Sequence, residues 1–288
     1  MPLRPDSSPA EALLARETQL RYGLVPGELD GVKVPEYGQF LRGDAYLLRA
    51  DGLSFLYRKG EGITVERRPD ADLSAESLWL NGSIYAAIAC INGFKPIHAS
   101  AVAYQGQVVA FTGPSGAGKS TLIAALGQLG LPMFCDDTLV LDLSDPAQIT
   151  CLPGHKRLKL TPAALAMTGA EGQEKVGAAI DKFYARPPGG EVGRPLPLGR
   201  LVFLEDGADL ATREITGAER FARLTDDHYT EALFASARQL DRAAQFALQA
   251  RLAQQIPMTR LTRPRDPAQF AASVQLAAML VQNGRKST

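Results

Sequence analysis

The chain has 288 residues with 31 basic and 31 acidic side chains, and 45% of its residues are hydrophobic. A formal net charge of zero argues against the broad basic footprint by which proteins hold nucleic acid, and it equally disfavours an anionic membrane surface. Three cysteines (Cys90, Cys135, Cys151) without C-x-x-C spacing fit neither a disulfide framework nor a zinc site, and point to a reducing, cytoplasmic setting. No apolar run approaches the roughly 18 residues of a membrane span, and the first residues do not read as a signal peptide.

The first 40 or so residues are rich in Pro, Gly and mixed charge and hold one helical candidate at 9–20. Three short runs rich in β-branched and aromatic residues follow at 46–49, 53–58 and 63–67, at the spacing of an antiparallel meander. Residues 74–91 place Leu80, Ile84, Ala87, Ile88 and Ile91 on one helical face, with Gly93 as a C-cap. These elements predict a small N-terminal α+β lobe over residues 1–92, followed by a second domain over 93–288.

That second part opens with apolar runs at 97–103 and 107–112, which read as a hairpin around Tyr104-Gln105-Gly106. A glycine-rich loop and a helix from Lys119 come next, with Leu122, Leu126 and Leu129 as its apolar stripe and Gly130 as its stop. Further strands are expected at 139–143, 157–160 and 200–204. Residues 181–197 combine Pro and Gly with Lys182, Arg186, Glu191 and Arg194 and read as a long mobile loop or lid. Helices are expected at 229–235 and 237–255, then a strand at 258–261. A last helix starts at Asp266 and Pro267 and buries Phe270, Val274, Ala277, Ala278 and Val281. The fold class is α/β with a mixed sheet.

Gly113-Pro114-Ser115-Gly116-Ala117-Gly118-Lys119-Ser120 matches G-x-x-x-x-G-K-[ST] at every defined position, between an expected strand and an expected helix, and Thr121 follows it. In such a loop the backbone N–H groups and the helix N-terminus face phosphates. Lys119 is expected to reach the β- and γ-phosphates of ATP and Ser120 to hold Mg²⁺. Phosphoryl transfer also needs a carboxylate to organise metal and acceptor. Asp136 and Asp137 lie where a returning strand would bring them beside the loop; a solvated Asp-Asp turn is the other reading. If the pair lies on a strand, its two side chains point to opposite sides.

The loop alone does not select a family. An LSGGQ-like signature and a downstream Asp-Glu pair are missing, which argues against an ABC-type ATPase. The apolar and acidic stretch 131–143 does not fit a guanylate kinase. Ile97-His98-Ala99-Ser100-Ala101-Val102, the hairpin, the loop and the Asp136-Asp137 pair together resemble the C-terminal kinase domain of the HPr kinase/phosphorylase family, over residues 97–143. The tail from Met258 is a looser match.

That resemblance implies an HPr-kinase-like P-loop core. It makes Asp136 the group that orients and deprotonates the acceptor hydroxyl, supported by His98, and puts Asp137 and Ser120 on the metal side. Without it, His98 reads as a core histidine at a strand end, while His155 and His228 are structural or surface residues. The second family signature is absent from Cys151 onward, which speaks against the reverse, phosphorolytic reaction and against HPr as substrate. The resemblance therefore implies a divergent serine kinase acting on a small protein or ribosomal peptide precursor, such as that of a lasso peptide, and allows a homo-oligomer. Other readings are an ATP-binding regulatory module with slow hydrolysis and no acceptor, and a small-molecule kinase. Net neutrality favours a small docking surface, for which Arg260, Arg263 and Arg265 are candidates.

Overall fold

Ser8 opens the first helix, α1 (Pro9–Glu17), with a reciprocal cap. Its hydroxyl accepts the Glu11 N–H, the Glu11 carboxylate accepts the Ser8 N–H, and Pro9 sits where no N–H is needed. The structure, a computed structural model, describes residues 7–225 and 230–283. The helix ends before the expected residue 20, because Leu20 already belongs to β1 (Leu20–Tyr22). A short pair, β2 (Glu28–Leu29) and β3 (Val32–Lys33), and β4 (Gly38–Arg42) add strands that no β-branched run announces.

The expected meander is present as β5 (Ala45–Ala50), β6 (Leu53–Arg58) and β7 (Gly62–Arg67), all antiparallel. Asp51 and Gly52, with φ of 54° and 74°, make the tight turn between β5 and β6. With β1 parallel to β7, the sheet order is β1-β7-β6-β5-β4. Alternate residues serve opposite faces. Tyr46, Leu48, Phe55 and Val65 pack with Ile84 and Ile88, whereas Leu47 and Leu56 pack with Val25, Leu29 and Val34.

The helix expected over 74–91 is composite. A 3₁₀ turn (Leu73–Ala75), α2 (Glu76–Trp79), a π turn (Leu80–Ile84) and α3 (Tyr85–Ile91) follow without a break. The π turn widens the backbone and brings Gly82 so near Asp137 that a Cβ there would lie 3.7 Å from Oδ2.

The single run expected at 97–103 is split at His98 into β8 (Lys95–Ile97) and β9 (Ala99–Tyr104). Strand β9 forms the expected hairpin with β10 (Gln107–Thr112), and α4 (Lys119–Gln128) follows the glycine-rich loop. Leu122 and Leu126 are buried as expected, but Leu129 is exposed, since it caps the helix end. Next come β11 (Met133–Cys135), β12 (Leu139–Asp142), β13 (Thr150–Leu152), β14 (Leu158–Leu160), α5 (Pro162–Thr168), β15 (Gly172–Gly177) and β16 (Ile180–Ala185). The chain continues through β17 (Leu196–Asp206), β18 (Ala211–Glu214), α6 (Ala218–Thr225), α7 (Thr230–Arg238), α8 (Arg242–Gln255), β19 (Met258–Arg263) and α9 (Phe270–Gln282).

The central sheet runs β11-β9-β10-β17-β13-β12-β8, with β19 on β17 and β18 on β19. Strands β10, β17 and β19 are parallel neighbours and the remaining pairs are antiparallel. Val109, Phe111 and Val202 meet α4 and α9 on one face; Ala110, Leu141 and Leu201 meet α8 on the other. Strands β14-β16-β15 form a separate sheet whose Leu158, Leu160 and Ala185 close the α4 side.

Residues 181–197 are not a free loop. Residues 181–185 belong to β16, and β17 begins at Leu196. The Pro and Gly between them serve close approach: a Cβ on Gly189 would lie 2.6 Å from the Gly127 carbonyl oxygen of α4. The Met133 N–H donates to Gly190 O at 3.0 Å and the Val192 N–H to Met133 O at 2.9 Å. At the C-terminal end, the helix expected from 237 starts at Arg242, where the Asp241 side chain caps it. Asp266 and Pro267 open a 3₁₀ turn ahead of α9, and Val274, Ala277, Ala278 and Val281 are buried, with Phe270 partly so. Residues His228 and Tyr229 lie outside the described residues. No helix among the described residues is long and apolar enough to cross a membrane.

Candidate functional site

The parallel strand β10 ends at Thr112, and residues 113–118 wrap into the N-terminus of α4. Gly113 and Gly118 have φ of 152° and 74°. A Cβ on Gly113 would lie 2.8 Å from Leu204 O, and one on Gly118 would lie 2.7 Å from Nη2 of Arg263. Gly113 therefore needs glycine for space, against a fixed backbone oxygen, and Gly118 needs it for the left-handed backbone. The buried Lys119 folds back over the loop, and its Nζ donates to Gly113 O at 2.8 Å and to Pro114 O at 3.1 Å. Burial pulls its pKa below the usual lysine value, against the opposing pull of Asp136 and Asp137.

In the first turn of α4, the Ser120 hydroxyl donates to Asp136 Oδ1 at 2.8 Å. The same oxygen accepts from Ser100 Oγ of β9 at 2.6 Å, and Oδ2 accepts the Lys159 N–H at 3.3 Å. Asp136 is only 1% exposed, and this burial pushes its carboxyl above the ordinary range, partly offset by Lys159.

Asp137 diverges from Asp136 because the pair lies just past the end of β11, in a bend, and Asp137 takes a left-handed φ of 70°. Its Oδ2 accepts from Lys159 Nζ at 2.7 Å, and its Oδ1 lies 3.5 Å from His98 Nδ1. Burial raises its pKa, but the Lys159 charge and hydrogen bond, with His98 and Lys119, outweigh it and leave the carboxyl below its usual range. The expected grouping of Ser120 with Asp137 is thus not found: Ser120 bonds Asp136, and the turn sends Asp137 to His98 and Lys159. Alternation along a strand does not separate the two side chains, because neither residue is on one.

Three members of the cluster escape motif reading. Ser100 lies in the stretch that carries the family resemblance, yet nothing local marks its hydroxyl. Lys159 is legible only as the polar position of the alternating Leu158-Lys159-Leu160. Arg263, expected on an outer docking surface, turns inward and donates from Nη2 to Ala117 O. Arg260 and Arg265 are held by Glu205 and Asp206. Lys182 and Arg186 are exposed, and the charge of Lys182 is felt at Lys119.

The cluster can hold a polyphosphate: turned backbone, one lysine and a hydroxyl paired with a carboxylate lie together at a helix N-terminus. Among the described residues, no three His, Cys, Asp or Glu side chains gather to hold a metal unaided.

No family profile and no curated protein matches the chain. Among solved structures, the HPr(Ser) kinase/phosphatase from Coxiella burnetii is similar at 11% identity and a TM-score of 0.33, over 65% of this chain and 97% of that one.

Proposed function

We propose that this chain is an ATP- and Mg²⁺-dependent kinase that transfers the γ-phosphoryl group to a hydroxyl, a serine of a small protein or ribosomal peptide precursor. The observation that carries the reading is the Ser120–Asp136 hydrogen bond at 2.8 Å, set beside a lysine that closes over the loop. A hydroxyl of the first helical turn joined to a carboxylate at a strand end is the donor set that a nucleotide-borne Mg²⁺ requires. The bound Mg²⁺ would neutralise charge across the β- and γ-phosphates.

In this reading Lys119 leaves the Gly113 and Pro114 carbonyls for phosphate oxygens, and Asp136 and Ser120 form the metal side. Asp137, fixed by Lys159 and His98, orients the acceptor hydroxyl. As the acceptor oxygen bonds to the γ-phosphorus, the bond from phosphorus to the β–γ bridging oxygen breaks, ADP leaves, and the hydroxyl proton passes to Asp137. The work is positioning and electrostatics on rigid elements.

The test is mass spectrometry of serine peptides incubated with the protein, ATP and Mg²⁺. Lys119→Ala should lose transfer and weaken nucleotide binding. Asp137→Asn should keep nucleotide binding and lose transfer by about a hundredfold or more. A wild type that binds ATP but modifies no hydroxyl, with ATP turnover unchanged in Asp137→Asn, would instead favour a nucleotide-binding regulatory module.

A further inference from the structure

A cavity of about 320 Å³ adjoins the candidate site. His98, Thr112, Gly113 and Pro114 belong to its lining, so it is continuous with the start of the loop and with the histidine beside Asp137. Most of the remaining lining is apolar, contributed by Ile97, Leu141, Leu201 and Phe203 of the sheet and by Leu252 and Ile256 of the α8 end. Its cations are already matched. Lys95 is bonded to Glu231, and Arg223 to Glu205. A larger cavity, about 560 Å³ between α1, the π turn and the stretch 152–156, includes no loop residue, neither aspartate and not His98.

The end of the loop that the cavity touches decides its role. Gly113 and Pro114 supply the carbonyls under the Lys119 amine, and the lysine of such a loop serves the β- and γ-phosphates. The other end, at Ala117 and Gly118, is covered by Arg263. The cavity therefore flanks the γ-phosphate, where an acceptor must approach.

We infer that this cavity is the specificity pocket for the acceptor, taking one large uncharged apolar side chain next to the phosphorylated serine of a peptide. This rests on the kinase reading above. The volume lies near the lower end of the roughly 300–1,000 Å³ of small-molecule sites, room for one large side chain together with the peptide backbone that bears it. Matched charges in the lining leave nothing to recognise a charged neighbour.

The experiment uses short glycine-based peptides with a central serine, in which the residue on either side is Gly, Leu, Phe, Trp, Asp or Lys. Phosphorylation and binding of fluorescent ADP are measured in parallel. Leu or Phe beside the serine should raise kcat/KM about tenfold to a hundredfold over Gly, the gain from burying one such side chain. Leu252→Trp, which narrows the pocket, should sharply reduce that preference while leaving ADP affinity intact. Leu252→Ala, which enlarges it, should shift the preference toward Trp and carries the test if the tryptophan variant fails to fold. Equal rates for all neighbours, a preference for charged ones, or a preference untouched by both variants overturns the pocket. ADP binding without phosphorylation of any peptide in the set overturns it too. A wild type that binds no nucleotide removes the kinase reading itself.

Discussion

His155 shows what burial does to one titratable residue. Its Nε2 is buried without a hydrogen-bond partner, and its ring meets Tyr184 edge-on with centroids 6.2 Å apart. Burial first, then the charges of Lys159 and Arg157, pull its pKa from 6.5 to about 4. The folded value is the lower one, so between these pH values the unfolded chain binds more protons and stability falls as pH falls. The full effect is up to about 3 kcal/mol. Urea unfolding at neutral pH and near pH 4 should show His155→Leu losing less stability than wild type over that interval; equal losses would refute the assignment. The aspartate pair teaches a related lesson. Adjacent in sequence, the two residues part company through a single positive φ at Asp137, which no pattern of residue types announces.

Among the elements, the stretch between β16 and β17 departs most from expectation. Four Pro and three Gly over residues 181–197 signal irregular backbone correctly, but irregular is not loose. Gly189 lies against Gly127 because neither has a side chain, and hydrogen bonds to Met133 hold both sides of the approach. Gly189→Ala would place a Cβ 2.6 Å from a backbone oxygen, so it should cost about 1–3 kcal/mol. Lower melting temperature and new cleavage after Glu191 by a glutamate-specific protease are the expected readouts, and an unchanged melting temperature would count against a pinned segment. Elements with local punctuation were legible instead. The Asp51-Gly52 turn and the Asp266-Pro267 start both sit where residue type predicts. The π turn was not legible, because Leu80–Ile84 keeps ordinary helical spacing and widens only against its neighbours.

At the scale of the molecule, one hydrophobic cluster joins Phe55 and Val65 of the first sheet, Ile88 of α3, and Val140 and Leu152 of the central sheet. A buried polar tie reinforces the packing around it: Lys95 of β8, 3% exposed, bonds to Glu231 of α7. Lys95→Ala would leave that carboxylate without its cation, with the Gln249 amide at 3.4 Å remaining, and should destabilise the protein by about 3 kcal/mol. Replacing both partners, Lys95→Met with Glu231→Leu, should recover most of the loss in urea or thermal unfolding, and a double variant as unstable as the single one would show that the pair does more than cancel its own charge.

From residue order alone came the meander, the glycine-rich loop with its lysine and serine, the helix starts and the nearness of an acidic pair. Each depends on bonds or periodicities a few residues long, and so survives without knowledge of the rest of the chain. Tertiary structure decided which aspartate meets Ser120, that Ser100, Lys159 and Arg263 complete the cluster, and that an apolar cavity adjoins His98. Those residues are brought together by the sheet order β11-β9-β10-β17 and by the packing of β14 beside it. Pairings between distant strands are set by the whole core, and no short window of sequence contains them.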